Sequence, residues 1–522
     1  MIFSKQSAVV SLLSAAVLAG CGGGGSGDAG LPTTAQLTNT CASMVGKTVE
    51  GMTVTGATRY EAVSGVSPSG FCKVSATRAP YLDLEVDLPD NWSGRLFQIG
   101  GGGFDGSIVS ALTLNTSGAL TALNLAISKY AAVYVSTNGG NRASVASQAA
   151  PAVWTTGTAD AAASVEDYAY KSLEAARVLA TSLAQTFYGS APKKTYFAGC
   201  SHGGMQAYEI ATLWPDKYDG ISSGCAPIGI AEQSTRWLQM NQANVNAPVS
   251  AGQYTAALSA AVSACDGNDG LLDGIIANPA SCKLTAASLQ CAGTSSDSAT
   301  CLSPAQVSTL NSALQDTTLA SGTRIFSGSY WTDFGKFTGA YAAIGGTYAY
   351  LGTHNNAWLT SAGAASYFDL ERDYPVLKAQ LSLIKMDSDI NAVASYVASG
   401  RKLISWHASA DSLVSMPNHY RTIQNMRAIA TTKGLADART GSRFFMVPGA
   451  DHGAGQALSE VDWLGALVNW VENGSAPTQL VYTKSSSAGA SKTMPVCETP
   501  AYPKYNGSGD VNSAASYTCT TS

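Results

Sequence analysis

A serine in a Gly-x-Ser-x-Gly frame between a β-prone run and a helix former, together with five histidines, carries the acyl chemistry this chain could perform. The frame is Gly199-Cys200-Ser201-His202-Gly203, between the β-prone Thr195–Ala198 and the helix-forming Met205–Ala211. Small flanking residues permit a tight turn that lifts the Ser201 hydroxyl above a sheet edge and aims the next backbone N–H, that of His202, at a developing oxyanion. A serine hydroxyl needs a base, and imidazole is the plausible one. His452 follows the β-prone run Arg443–Val447, within Pro448-Gly449-Ala450-Asp451-His452-Gly453, late in the chain. His202 is held by the turn and is better placed to touch substrate than to deprotonate its neighbour. His407 comes too early, before any acid; His419 falls on a helical stretch and His354 in an inserted region. The acid belongs in the loop after the preceding strand, where Asp411 follows Leu403–Trp406. Asp451 adjoins the base and is suited to bracing its loop. The expected triad is Ser201, Asp411 and His452, with Asp411 fixing the imidazole tautomer. The competing account is an inert serine in a glycine-rich turn.

A second glycine run, Gly100–Gly103, directly follows the β-prone Arg95–Ile99. N–H groups of Gly102 and Gly103, with that of His202, are the expected oxyanion hole. A phosphate loop would continue with Lys-Ser/Thr; Phe104-Asp105-Gly106 stands there instead.

Elements of alternating type must position these residues. Tyr81–Leu88, Arg95–Ile99, Ala131–Thr137, Thr195–Ala198 and Tyr218–Gly224 read as strands, and Ala161–Thr186 as one long Ala-rich helix. That order predicts an α/β fold with a mostly parallel sheet. Ala35–Pro80 reads as loop-rich, with Cys41 and Cys72 able to close it. Residues 35–225 and 399–522 form the expected catalytic domain, and 226–398 a lid domain inserted into it. Twelve aromatics fall in the 49 residues from Phe326 to Tyr374. Most fill the lid's own core; a few are expected to line a cleft suited to aromatic or extended apolar acyl groups.

The net charge of −5 and a charged fraction of only 12% argue against a nucleic-acid partner. Lys5 and the apolar run Ala8–Leu18 read as a signal peptide over residues 1–20, and Leu18-Ala19-Gly20-Cys21 resembles a bacterial lipobox. Cys21 is then the lipidated residue and 21–34 a flexible tether, which predicts an outer-membrane or cell-surface lipoprotein, otherwise a periplasmic or secreted protein. Of 11 cysteines, removing Cys21 leaves an even number, enough for five bridges in an oxidising compartment.

Asp266, Asp269 and Asp273 stand at spacings of three and four with glycines between them. Such a set of hard oxygen donors suits Ca²⁺, although Ala277 occupies the place of an EF-hand glutamate. The competing account is a solvated acidic turn.

Phe71-Cys72-Lys73-Val74, Leu88-Pro89-Asp90-Asn91-Trp92, Gly100–Gly103, Gly199-Cys200-Ser201, Tyr218-Asp219-Gly220-Ile221, Ala410-Asp411 and Pro448-Gly449-x-x-His452 together resemble the tannase and feruloyl esterase family of α/β-hydrolases. That family also includes mono(2-hydroxyethyl) terephthalate hydrolase. The resemblance implies the same triad, a lid, and a structural lid calcium held by Asp266, Asp269, Asp273 and the carbonyls of Leu271 and Ile275. It also implies the bridges Cys41–Cys72, Cys265–Cys282, Cys291–Cys301 and Cys497–Cys519. The family's usual bridge from the cysteine before the nucleophile to one after the catalytic histidine has no partner here, since Gly453 follows His452. Cys200 and Cys225 remain, each ending one of two strands expected to be parallel neighbours. A strand spacing of about 4.8 Å suits a disulfide, so a Cys200–Cys225 bridge is expected.

The expected activity is hydrolysis of feruloyl, galloyl or related aryl esters through an acyl-enzyme. Aliphatic oligoesters or terephthalate monoesters are the alternatives, and a calcium-stiffened binding lipoprotein on an inactive scaffold is a further one. A terephthalate carboxylate would want a lid cation; Thr338–Glu371 holds no Arg or Lys, leaving Arg324, Lys336 and Arg372 as candidates.

Overall fold

The computed structural model describes residues 33–143, 149–292, 299–332, 340–484 and 491–522. The expected signal segment, Cys21 and most of the expected tether lie outside the described residues. Twelve strands form the main sheet: β1 (Thr48–Val49), β2 (Met52–Tyr60), β3 (Phe71–Arg78), β4 (Leu82–Pro89), β5 (Arg95–Ile99), β6 (Val133–Thr137), β7 (Lys194–Cys200), β8 (Gly220–Gly224), β9 (Lys402–Ala408), β10 (Ser442–Val447), β11 (Gln479–Lys484) and β12 (Lys492–Glu498). Their spatial order is β1-β2-β3-β4-β6-β5-β7-β8-β9-β10-β12-β11.

The six strands from β6 to β10 in that order run parallel. Antiparallel strands flank them on both sides, β1 to β4 on one and β12 and β11 on the other. The α/β architecture is as expected, but the parallel part is only the centre of a mixed sheet. The difference comes from residues 35–80, which are not loop-rich: they hold the helix Thr34–Ala42 and three antiparallel strands. Met52 and Val54 point inward on β2, and then a bulge between Val54 and Gly56 breaks the alternation that marks a strand in sequence.

Helices cover both faces. On one face α1 (Ser172–Tyr188) buries Leu179, Leu183 and Phe187 against Val74, Val86 and Val133. Helix α2 (His202–Leu213) follows the turn that carries Ser201. Helices α3 (Ile230–Asn246) and α4 (Ala340–Thr353) build the inserted layer. They approach closely because Gly345 carries no side chain: a Cβ there would lie 3.0 Å from the Trp237 Cβ and 3.2 Å from the Ser234 carbonyl oxygen of α3. Trp358, Leu377 and Leu381 are buried there, and each such leucine contributes roughly 1.5–3 kcal/mol. The same apolar cluster continues into Phe104, Trp154, Tyr168 and Val414 of the sheet side.

Helix α5 (Ile390–Ala398) corrects the expected limit of the insertion. Its Val393, Ala394 and Val397 pack with Ile210, Ile221 and Leu403, so it flanks the sheet, and the inserted stretch ends before it rather than at Ala398. Helix α6 (Met416–Thr432) lies beside it, and α7 (Trp463–Asn473) covers the opposite face with Trp463, Leu464 and Leu467 against Trp406 and Phe445. The loops after β5, β7, β9 and β10 all open at the C-terminal edge of the parallel strands, where α/β sheets gather their functional groups.

Candidate active site

Ser201 sits at the turn between β7 and α2 with φ +61° and ψ −122°, a left-handed conformation that costs a non-glycine residue about 1–3 kcal/mol. The turn is closed by contacts no side chain would allow: a Cβ on Gly199 would lie 2.5 Å from the Gly203 carbonyl oxygen. Ser201 N–H donates to the Gly224 carbonyl at 3.1 Å, which ties the turn to the end of β8.

The Ser201 hydroxyl donates to His452 Nε2 at 2.9 Å, and His452 Nδ1–H donates to Asp411 Oδ2 at 2.7 Å. Asp411 is buried, and its other oxygen accepts the N–H groups of Leu413 (2.9 Å) and Val414 (2.7 Å). Burial pushes the Asp411 carboxyl up, but the His452 charge and hydrogen bonds from His407 and His452 outweigh it and hold the group well below the usual carboxylate range. Burial likewise opposes the His452 imidazolium, yet the Asp411 carboxylate, aided by Asp451, raises His452 above its ordinary value. Asp451 braces the loop, accepting N–H bonds from Ser412 (3.0 Å) and His452 (2.6 Å). This arrangement can take a proton from a serine hydroxyl and return it to a leaving group.

The surroundings of His407 went unread in the sequence. It lies too early to be the base, but its Nε2 reaches Asp411 Oδ2 at 3.0 Å, four residues on. The strand-to-loop spacing of Trp406-His407-x-x-x-Asp411 was the available signal.

The expected oxyanion hole changes in one member. Gly102 N–H donates to Asp105 Oδ1 at 2.9 Å, so it is not available to a ligand. Gly101 N–H is also taken, by Gln206 Oε1 at 3.0 Å. Among the described residues the N–H groups of Gly103 and His202 have no acceptor, and both residues line the cavity over Ser201. The cause is Asp105, a buried carboxylate with φ +57° that also accepts from His202 Nδ1 (3.1 Å) and Gln206 Nε2 (3.3 Å). The His202 side chain is thus turned into a structural contact.

A ring stacks on His202: Tyr168, with centroids 4.0 Å apart and planes 11° from parallel. Tyr168 lies in a π-helical turn, Asp167–Lys171, that interrupts the expected single helix between Ala159–Glu166 and α1. Arg78 pairs with Asp167 at its start. Such turns re-aim side chains at functional sites. The Tyr168 hydroxyl donates to the Gly103 carbonyl at 3.1 Å and meets the Tyr348 hydroxyl of α4 at 2.7 Å.

A cavity of about 410 Å³ opens over Ser201, walled by Phe104, Trp237, Ile344, Tyr348, Leu413 and Val414. Among the described residues no Lys, Arg, Asp or Glu lines it. Arg324 pairs with Asp316 and Arg372 with Asp373, both away from the cavity; Lys336 lies outside the described residues.

Disulfides join Cys41–Cys72, Cys200–Cys225, Cys265–Cys282, Cys291–Cys301 and Cys497–Cys519. Cys41–Cys72 ties the first helix to β3 instead of closing a loop. Cys200 and Cys225 end parallel neighbours, with Cα atoms 5.2 Å apart. The Cys225 sulfur lies within 4.8 Å of the ligand atoms of Asp411 and His452, so this bridge underlies the triad.

In the acidic turn, Asp266 Oδ2 accepts from Gly274 N–H (3.0 Å), Asp269 from Leu271 (3.1 Å) and Ala277 (3.0 Å), and Asp273 Oδ1 from Ile275 (3.1 Å). Asp266 Oδ1 is buried with no partner, and burial pushes Asp269 up to about 6. Lys492 Nζ meets Asp273 Oδ2 at 2.7 Å. Three carboxylates against one ammonium, with an orphaned buried oxygen, fit a hard divalent cation.

Residues 63–520 match the family model described as tannase and feruloyl esterase. The chain belongs to that family. It is a carboxylic-ester hydrolase of the tannase and feruloyl esterase type. Its relatives include mono(2-hydroxyethyl) terephthalate hydrolase of Piscinibacter sakaiensis, 28% identical over 500 residues that span 84% of this chain and 82% of that protein. Feruloyl esterase B of Aspergillus niger is 27% identical over 479 residues, 85% of each chain. The crystal structure of feruloyl esterase B from Aspergillus oryzae superposes with a TM-score of 0.75 at 22% identity, covering 93% of this chain and 100% of that one, which shows the shared fold.

Proposed function

We propose that this family member is a serine esterase acting on esters of aromatic acids. The observation that carries the reading is the unbroken hydrogen-bonded line Ser201–His452–Asp411 at the floor of an uncharged, aromatic-walled cavity. Ser201 Oγ attacks the ester carbonyl while His452 Nε2 takes its proton. The N–H groups of Gly103 and His202 receive the oxyanion, and Asp411 stabilises the imidazolium. His452 then gives the proton to the departing alcohol, leaving an acyl-enzyme. Water, deprotonated by the same imidazole, releases the acid. Phe104, Trp237 and Tyr348 suit a flat aryl group, and the uncharged walls favour feruloyl or galloyl esters over a terephthalate monoester. The terephthalate-ester relative keeps that alternative as a named arm of the test.

The acidic turn is proposed to hold a structural Ca²⁺ through Asp266, Asp269, Asp273 and the carbonyls of Leu271 and Ile275. Bound there, the ion supplies charge neutralisation and a fixed fold for the turn. Ten cysteines paired in five bridges support export, and lipidation at Cys21 remains part of the same proposal.

The test is hydrolysis of methyl ferulate, methyl gallate, a terephthalate monoester and p-nitrophenyl butyrate by wild type and Ser201→Ala. Turnover of an aromatic-acid methyl ester that disappears in Ser201→Ala is expected. Turnover of the butyrate alone would overturn the aromatic-acid reading, turnover of the terephthalate monoester alone would overturn the preference for feruloyl or galloyl esters, and full activity in Ser201→Ala would overturn the serine mechanism.

A further inference from the structure

Behind the acid of the triad lies a buried line of polar side chains that the esterase mechanism above does not use. His407 Nε2 is 3.0 Å from Asp411 Oδ2 and 3.2 Å from the Val414 carbonyl. His407 Nδ1 is 2.8 Å from His419 Nδ1 on α6. His419 Nε2 is 2.8 Å from the Tyr208 hydroxyl of α2, which is 2.7 Å from the Ser405 hydroxyl of β9. His407, His419, Tyr208 and Ser405 are each at most 1% exposed.

The proton positions follow from the partners. Both neighbours of His407 Nε2 are oxygen acceptors, so that nitrogen carries the hydrogen. In the neutral ring Nδ1 is then bare and accepts, so His419 Nδ1 carries a hydrogen and its Nε2 accepts from Tyr208. The Tyr208 hydrogen being committed, its oxygen accepts from Ser405. One arrangement satisfies every atom, and in it each group donates in the direction of Asp411. An added proton on His407 would set two N–H groups face to face across 2.8 Å, and one on His419 would fall on Nε2, where the Tyr208 hydroxyl already donates. Burial and the neighbouring His407 hold His419 well below its ordinary value, in keeping with a neutral ring. The groups that face the pair are Asp411 and His452 from the loops after β9 and β10, Tyr208 from α2, and the edge of Phe444 from β10.

Apolar side chains would fill this space without the cost of burying two imidazoles. The line has one terminus that matters to an ester hydrolase: the same Asp411 oxygen that binds His452. We infer that His407 is a positioning residue for the triad, with His419 and Tyr208 fixing its tautomer, so that Oδ2 is held between two imidazole N–H donors and presented to His452 in one orientation. His407 reaches neither the cavity nor Ser201 and acts only through Asp411. The inference rests on the serine mechanism proposed above.

Two measurements test it. In ¹⁵N-histidine-labelled wild type, His407 is expected as the Nε2–H tautomer and His419 as the Nδ1–H tautomer, both with slowly exchanging ring protons. The opposite tautomers, or a charged ring at neutral pH, overturn the inference without any variant. In the second, kcat, KM and thermal midpoint are compared for His407→Leu and His407→Gln on the aromatic ester found in the panel. Leucine is expected to lower kcat on the order of 10- to 100-fold with KM within about threefold and to move the acid limb of kcat/KM upward, since a carboxylate with one donor fewer stabilises imidazolium more strongly. Glutamine, whose amide N–H can reach Oδ2, is expected to restore most of kcat. Equal kcat losses in both variants, or an unchanged kcat in the leucine variant, leave His407 a core residue and overturn the inference. Ser201→Ala in the same assay separates this outcome from failure of the serine mechanism: retained activity there removes the mechanism, while the tautomers remain as measured.

Discussion

Replacing Tyr168 by phenylalanine probes how the oxyanion site is held. The ring, its volume and its stack on His202 are kept; only the hydroxyl goes. Two hydrogen bonds are lost, to the Gly103 carbonyl and to Tyr348. At about 1 kcal/mol net for each bond, with the cavity beside them open to water, stability should fall by roughly 1–2 kcal/mol. The larger consequence is for chemistry. Gly103 lies in a glycine run that has no side chain to anchor it, and the Tyr168 hydroxyl grips its carbonyl. Full loss of an oxyanion donor costs about 10²–10³ in kcat; a donor still present but unpinned should cost about tenfold, or about 1.4 kcal/mol of barrier. The assay is steady-state kinetics on the best aromatic methyl ester, paired with urea unfolding. A tenfold lower kcat with KM within twofold is expected. An unchanged kcat alongside the stability loss would refute the reasoning, for it would mean that Gly103 is held without Tyr168 or is not a donor.

Other perturbations follow from the same geometry. Asp411→Asn should lower kcat by about 10⁴ and move the acid limb of kcat/KM to lower pH, because the carboxylate that raises His452 is gone; a limb that stays in place would refute the assignment. In wild type, the depressed Asp411 contributes stability present above an unfolded carboxylate value of about 3.9, and this is lost as pH falls through the folded value; urea midpoints from pH 7 downward should fall further in wild type than in Asp411→Asn, where the depressed Asp83, Asp316 and Glu472 still contribute. Breaking Cys200–Cys225 with paired serines, which opens a crosslink spanning 25 residues, should cost about 3–4 kcal/mol and lower kcat, since the bridge lies under the triad; a stability loss with kcat intact would confine it to a staple. Chelation should lower the thermal midpoint, and calcium at a hundredfold excess over its dissociation constant should restore about 2.7 kcal/mol. Asp266→Asn should abolish that response, and an unresponsive wild type would sink the calcium proposal.

The motif-bearing loops were legible because tight turns leave composition signatures. Gly199 and Gly203 must be small for Ser201 to turn, and the strand before each of Ser201, Asp411 and His452 is short and β-prone. The antiparallel N-terminal flank was hidden by the bulge in β2, after which the alternation of inward Met52 and Val54 with outward Thr53 and Thr55 is lost. The availability of the Gly102 N–H was not legible either. It depends on Asp105 folding back at a positive φ, a long-range choice stabilised by His202 and Gln206. The π turn beneath Tyr168 adds one residue to a turn inside a good helix, and helical periodicity averages it away. His407 was set aside by its order in the chain, which ranks candidate bases but says nothing of what stands behind the acid.

The pairing of β8 with β9 has a consequence for how the enzyme comes into being. Gly220 lies opposite Lys402, 182 residues later in the chain, and closing so long a loop costs about 4–5 kcal/mol of chain entropy before any contact is gained. The strands that carry Ser201 and the Gly100–Gly103 loop are therefore made long before the segment that carries Asp411 and His452. Competence arrives last, as a docking of the final quarter of the chain onto a waiting sheet edge. The same docking covers the edge of β8, which stays unpaired until Lys402, 182 residues after its partner Gly220, is made. Export machinery that holds the polypeptide extended until it is complete would suit this order of assembly.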